Sequence, residues 1–285
     1  MTNKAKSKRF PKSREASPSG SQKDRSRAVD TGFADTVAYY DRYRLDYPAR
    51  LIKRVADLAG LAPGDAVLDL GCGTGMLATA FARAGMAVTA MDPEPQMLER
   101  ARTVADAACV AITFLQGGSQ DLASHMGPFR LVTMGRSFHW MDRAATLAML
   151  DKIVMPEGAV ALFHDAHPPV EENGWFKILC DVQARYRRGG RSGGHKRYEP
   201  FLFASAFAQI DTLSVTIRQP LTVDEIVGRA FSMSASAALQ PEVERAQFVA
   251  ALSSGLQELS PDGKFTEVAE LVAVLARRPS AQTLK

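Results

Sequence analysis

The most constraining stretch of this 285-residue chain lies between Ala66 and Asp92. Ala66-Val67-Leu68-Asp69-Leu70 is a short apolar strand, and Gly71-Cys72-Gly73-Thr74-Gly75 follows it at once. The pattern then predicts a helix over 76–84 that stops at Gly85. A second strand, Ala87-Val88-Thr89-Ala90-Met91, is closed by Asp92. Glycines between a strand and a helix let the backbone turn sharply and approach a ligand closely.

The same alternation continues on both sides. Leu51, Ile52, Val55 and Leu58 stand at helical spacing over 49–59, with Gly60 as a stop. Further helices are predicted over 94–105 and 142–153, and strands over 111–115, 131–134 and 159–163. Such repetition specifies α/β architecture, a mostly parallel sheet covered on both faces. After the fifth strand the rhythm breaks at Pro168-Pro169. A helical stretch over 175–186 leads into a loop with Gly189, Gly190, Gly193 and Gly194. A sixth strand is expected over 210–218, helices over 221–231 and 241–259, and a last strand over 270–276. The expectation is a seven-stranded sheet with a helical cap inserted after the fifth strand, built from segments of about 168–207 and 221–262.

Charge separates a tail from a body. Lys and Arg number 35 against 31 Asp and Glu, a formal net charge of +4. Residues 1–30 hold nine bases and three acids, so the tail carries +6 and residues 31–285 carry −2. The tail is rich in Lys, Arg, Ser and Pro and is read as disordered, with 31–285 as the folded domain. A body near neutrality does not demand a polyanion, so nucleic acid is not the expected partner. Cys72, Cys109 and Cys180 are odd in number and show no paired spacing. Neither a disulfide framework nor a metal site is expected, and a reducing cytoplasm fits. There is no apolar run of ~20 residues and no secretory leader, so no membrane association is expected. Oligomeric state is left open.

Asp92 stands seventeen positions past Gly75. An acid there can take both hydroxyls of a ribose. A dinucleotide fingerprint would need glycine at position 76, where this chain has Met76. Asp69 would also repel a pyrophosphate and favour an ammonium or sulfonium. S-adenosylmethionine combines a ribose with both positive groups.

The segments Val67-Leu68-Asp69-Leu70-Gly71-Cys72-Gly73-Thr74-Gly75 and Val88-Thr89-Ala90-Met91-Asp92 resemble the class I S-adenosylmethionine-dependent methyltransferases, nearest the type 11 small-molecule group. The resemblance covers roughly residues 33–165 and implies a Rossmann-like fold. It implies that Gly71, Gly73 and Gly75, with Asp69 and Cys72, contact the methionine part. Asp92 would hold the ribose, flanked by Pro93 and Met97. Gly118, Ser119 and Gln120 would flank the adenine, although an acid common in the family at the start of that loop is replaced here by Gly118 and Ser119. Tyr39-Tyr40-Asp41-Arg42-Tyr43-Arg44-Leu45-Asp46-Tyr47-Pro48 matches a Tyr-x-Arg-x-x-Tyr-Pro element that closes over the cofactor in relatives. Tyr43 and Arg44 are therefore cofactor-lining candidates, against the alternative of a charged surface helix.

Gly135-Arg136-Ser137-Phe138-His139-Trp140-Met141-Asp142 resembles the His-Trp variant of that group. His139 titrates near neutrality and is the candidate general base. It could equally line the site without proton transfer or cap the next helix. Trp140 is a candidate for shaping the acceptor pocket. Residues 185–198 carry six bases and no acid, so Arg187, Arg188 and Arg191 are candidates for receiving an anionic acceptor; the alternative is a solvated loop. His164, Asp165 and His167 are weak metal-ligand candidates, because two imidazoles and one carboxylate on a loop do not specify a metal. The expected activity is methyl transfer to a small molecule, at a carboxylate or hydroxyl oxygen. The rivals are a nucleic-acid or protein methyltransferase and a scaffold that keeps the fold without catalysis.

Overall fold

The computed structural model describes residues 42–186, 198–233 and 242–279. The expected tail lies outside them, as do Arg187, Arg188 and Arg191. Seven strands, β1 (Ala66–Leu70), β2 (Ala87–Asp92), β3 (Ile112–Gln116), β4 (Phe129–Gly135), β5 (Val154–Ala166), β6 (Gln209–Thr222) and β7 (Lys264–Arg277), form one open sheet. Their order is β3-β2-β1-β4-β5-β7-β6. The first five run parallel, and β7 inserts antiparallel between β5 and β6. Val67, Leu68 and Leu70 of β1 are fully buried, as a strand covered on both faces requires.

Two apolar layers enclose the sheet. Helices α1 (Ala49–Leu58), α2 (Met76–Arg83) and α3 (Pro95–Ala107) contribute Leu51, Val55, Leu77, Phe81 and Leu98 to one layer, against Val67, Phe163 and Leu275. On the other face α4 (Arg143–Ile153) and α6 (Glu199–Phe203) bring Leu147, Leu150 and Leu202 against Leu68, Leu162 and Val274. A third cluster joins α5 (Gly174–Tyr186), α7 (Val223–Phe231) and α8 (Glu242–Leu259) around Trp175, Ile226, Phe248 and Leu252. The antiparallel β6–β7 pair, whose strands are joined through α7 and α8, reaches this cluster through Leu221 and Phe265.

The β6–β7 pairing corrects the strand lengths expected from sequence. Strand β7 begins at Lys264 and β6 ends at Thr222, and they pair over fourteen positions each. Pro220 is tolerated because β6 is the sheet edge. Leu221 and Thr222 are thus strand, not helix. Thr222 instead caps α7, exchanging hydrogen bonds with Glu225 in a capping box. Strand β5 runs on through His164 and Asp165, because β7 supplies partners for both at Val272 and Leu271.

Strand β1 pairs with β2 on one side and β4 on the other. The chain leaves these strands in opposite directions, which opens a crevice at their carboxyl ends. The glycine turn and the segment after β4 both lie there.

Candidate cofactor and acceptor site

The turn after β1 is left-handed at all three glycines, with φ of 70° at Gly71, 54° at Gly73 and 82° at Gly75. A Cβ on Gly71 would also stand 2.6 Å from that of Ser137. The turn is pinned from β2, where the Met91 carbonyl accepts the N–H groups of Gly71 (2.7 Å) and Cys72 (3.0 Å). Cys72 is buried, and burial raises its thiol well above the usual range. It is a small turn residue and not a thiolate.

Asp92 is 7% exposed. Its Oδ2 accepts the Gly73 N–H at 2.8 Å and its Oδ1 accepts the Glu94 N–H at 3.0 Å. Burial raises its pKa, and these two N–H donors oppose the rise. The carboxylate therefore helps order the start of α3 and also faces the glycine turn. Pro93 is exposed, and Met97 is buried in α3.

Asp69 is 1% exposed. It accepts the Ala78 N–H at 3.0 Å and the Thr133 hydroxyl at 2.8 Å. Burial lifts its pKa to about 7 against those two bonds, with the nearby Asp92 charge adding to the rise. Asp69 lines a cleft with Tyr47, Gly71, Cys72, Met76, Leu77, Gly135 and Arg136.

After β3, Gly118, Ser119 and Gln120 lead into a short 3-10 turn over Ser119–Asp121. Asp121 supplies the acid that the first loop positions lack, but its carboxylate is turned back on the loop. It accepts the Gly118 N–H at 2.8 Å and the Gln120 amide at 2.9 Å.

After β4, Arg136 takes a left-handed conformation, φ 55°. Its guanidinium pairs with Asp165, donates to the Leu45 carbonyl at 2.9 Å and lies 4.8 Å from the Tyr47 ring centroid. Burial would raise Asp165, but Arg136 and Arg44 hold it well below the usual carboxylate range. The Ser137 hydroxyl donates to the Leu70 carbonyl at 2.8 Å. His139 and Trp140 occupy a 3-10 turn with ring centroids 5.1 Å apart, and Trp140 is 55% exposed. The cap of α4 is Asp142, which accepts the Ala145 N–H at 3.1 Å, so His139 does not serve as that cap.

The carboxyl end of β5 carries a buried polar network. His167 Nε2 lies 2.7 Å from Glu267 Oε1, the atom that also meets Arg229. Burial lowers His167 to about 4. The ring is neutral near pH 7 and the contact is a hydrogen bond, not an ion pair. Asp165 and His167, weighed from sequence as metal ligands, are thus engaged with Arg136 and Glu267.

Residues 67–158 match the family model of a methyltransferase domain. Residues 67–158 thus carry the sequence pattern of a methyltransferase domain. An uncharacterized methyltransferase of Mycobacterium bovis is 30% identical over 159 residues, 56% of this chain and 61% of that relative. The ubiquinone biosynthesis O-methyltransferase of Xanthomonas campestris is 36% identical over 121 residues, 42% of this chain and 47% of that relative. The chain thus spans about half to three fifths of the length of these relatives. A methyltransferase of Geobacter sulfurreducens solved with S-adenosylhomocysteine shares the fold at TM-score 0.51 and 18% identity, covering 87% of this chain and 98% of that one.

The glycine turn, Asp69 and Asp92 all lie within the matched residues and converge on one crevice. Each carboxylate oxygen of Asp92 can accept more than one bond, so its two backbone donors leave capacity for a ribose diol. Thr74 Oγ1 is buried in the turn with no partner among the described residues, as suits a polar ligand. Sequence reasoning missed Thr133, and it read Asp165 as a weak metal-ligand candidate where the structure pairs it with Arg136. Tyr47 was legible in the Tyr-Pro of the element before α1. Thr133 carried no local signal. No described helix is long and apolar enough to cross a membrane.

Proposed function

We propose that this methyltransferase transfers a methyl group to an oxygen of a small-molecule acceptor, with S-adenosylmethionine as donor. The observation that best supports this is the convergence of the left-handed glycine turn, buried Asp69 and the Asp92 carboxylate at one crevice. When bound, S-adenosylmethionine supplies an electrophilic methyl on a sulfonium.

The roles of the chain's own residues follow. Gly71, Gly73 and Gly75 admit the methionine part against bare backbone. Asp92 holds the ribose, and Pro93 and Met97 flank it. Gly118, Ser119 and Gln120 border the adenine. Asp69 and the Tyr43–Arg44 stretch face the amino-acid end, Asp69 toward the ammonium and Arg44 toward the carboxylate. Holding acceptor and methyl in line contributes up to about 7–11 kcal/mol to the rate.

His139 takes the proton of a hydroxyl acceptor as the new oxygen–carbon bond forms and the carbon–sulfur bond breaks. A carboxylate acceptor needs no base, and His139 then only lines the site. Trp140 shapes the acceptor pocket. Arg187, Arg188 and Arg191 would receive an anionic acceptor. The name of the Xanthomonas relative, an O-methyltransferase, favours oxygen as the target.

The test is a methyl-transfer screen with isotopically labelled donor against panels of phenols, carboxylic acids and amines. Label in an ester or ether product supports the reading. Transfer confined to amines, RNA or protein contradicts it.

A further inference from the structure

The segment carrying Tyr43 and Arg44 is gripped from helix α7. The Tyr43 ring lies flat against Gly228, so close that a Cβ there would stand 2.3–2.5 Å from three ring atoms. The neighbouring Arg229 donates from Nε to the Tyr43 carbonyl at 3.1 Å. One turn later the Ser232 carbonyl accepts Arg44 Nη2 at 2.9 Å. Arg136 completes the hold by donating to the Leu45 carbonyl and stacking on Tyr47, which lines the cleft beside Asp69 and Gly71.

The grip is itself anchored. Arg229 is 5% exposed and its Nη1 meets Glu267, which is fully buried. Glu267 also accepts from Gln219 at 2.9 Å and pairs with His167. The α7 contact is therefore fixed to the β6–β7 pair, far in sequence from the glycine turn.

We propose that Gly228 and Arg229 are positioning residues for the cofactor, latching the Tyr43–Tyr47 strap over the glycine turn from helix α7. This rests on the reading that Tyr43 and Arg44 line the cofactor site. Gly228 is informative because glycine is the wrong residue for a helix interior unless space demands it. An alanine there favours α7 as a helix and disturbs only the seat of the Tyr43 ring.

The experiment is calorimetric titration of S-adenosylhomocysteine into the full chain and its Gly228→Ala, Tyr43→Ala, Gly228→Ala/Tyr43→Ala and Arg44→Ala variants, each checked by thermal melting. Gly228→Ala is expected to weaken binding by about tenfold while melting stays within a few degrees of the parent. The double variant should be no weaker than Tyr43→Ala alone, because both changes act on one ring. Unchanged binding in Gly228→Ala, with Arg44→Ala weakened, overturns the latch and keeps the strap. Unchanged binding in Arg44→Ala overturns the strap reading itself, and the latch with it. If Gly228→Ala does not fold, Arg229→Lys takes its place. It keeps the charge beside Glu267, loses the Nε–Tyr43 bond, and is held to the same outcomes.

Discussion

The Asp92 carboxylate accepts the Gly73 N–H at 2.8 Å, so the acid closing β2 and the turn closing β1 hold each other in place. Any ligand bridging them meets a preassembled pair. Charge-assisted hydrogen bonds contribute about 1.5–3 kcal/mol each. Asp92→Ala is therefore expected to weaken S-adenosylhomocysteine binding about 100-fold. It should also lower the melting temperature, since the Gly73 and Glu94 N–H groups lose their acceptor. Calorimetry and thermal melting on the same sample check both.

Asp69 is a buried carboxyl whose ionised form is costly in the folded protein. Burial holds its folded pKa at about 7, above the ordinary aspartate value of 3.8. The folded state thus binds the proton more tightly than the unfolded state between these values. This contribution to stability is present at low pH and is lost as pH rises toward 7. Ionisation also creates the charge that an ammonium seeks. Asp69→Asn should flatten the pH dependence of melting between about pH 4 and 7. It should also weaken S-adenosylhomocysteine by about tenfold above neutrality. Parental affinity should rise as pH increases through 7; an affinity that falls across that range contradicts the assignment.

His139 should be tested by rate, not by binding. With a hydroxyl acceptor, His139→Gln should lower kcat by about 10²–10⁴ and remove the pH dependence of kcat near neutrality. Cofactor affinity should be unchanged. A variant retaining most of its kcat across pH 6–9 shows that His139 only lines the site.

Arg136 and Asp165 form a pair with side-chain exposures of only 7% and 15%. Arg136→Met alone removes the larger of the two positive charges, Arg136 and Arg44, that hold the buried Asp165 carboxylate, and should cost about 3 kcal/mol. Arg136→Met/Asp165→Leu should recover much of that loss, because no uncompensated charge remains. Denaturant unfolding of the two variants measures the difference.

Sequence revealed the parts of this site that are local. Gly71, Gly73, Gly75 and Asp92 lie within one strand–turn–helix–strand unit, where chain direction and glycine conformation leave few arrangements. Parallel pairing then brings β1 beside β2 and β4. The missed residues act across long gaps. Thr133 reaches Asp69 from 64 residues away, and Arg136 meets Asp165 across 29. Arg229 and Gly228 touch Tyr43 across about 186 positions. In sequence each is an ordinary polar or small residue, and only the stacking of α7 and the β6–β7 pair gives it a partner. The strand ends were misjudged for the same reason. Residues 264–269 pair antiparallel with β6, a constraint their own pattern does not carry.

The most direct test of the account is calorimetric titration of the purified chain with S-adenosylmethionine. Binding at one site per chain, abolished or strongly weakened in Asp92→Ala while the fold is retained, is the predicted result. A folded chain that takes up no S-adenosylmethionine, or binds it equally well without Asp92, would contradict the account.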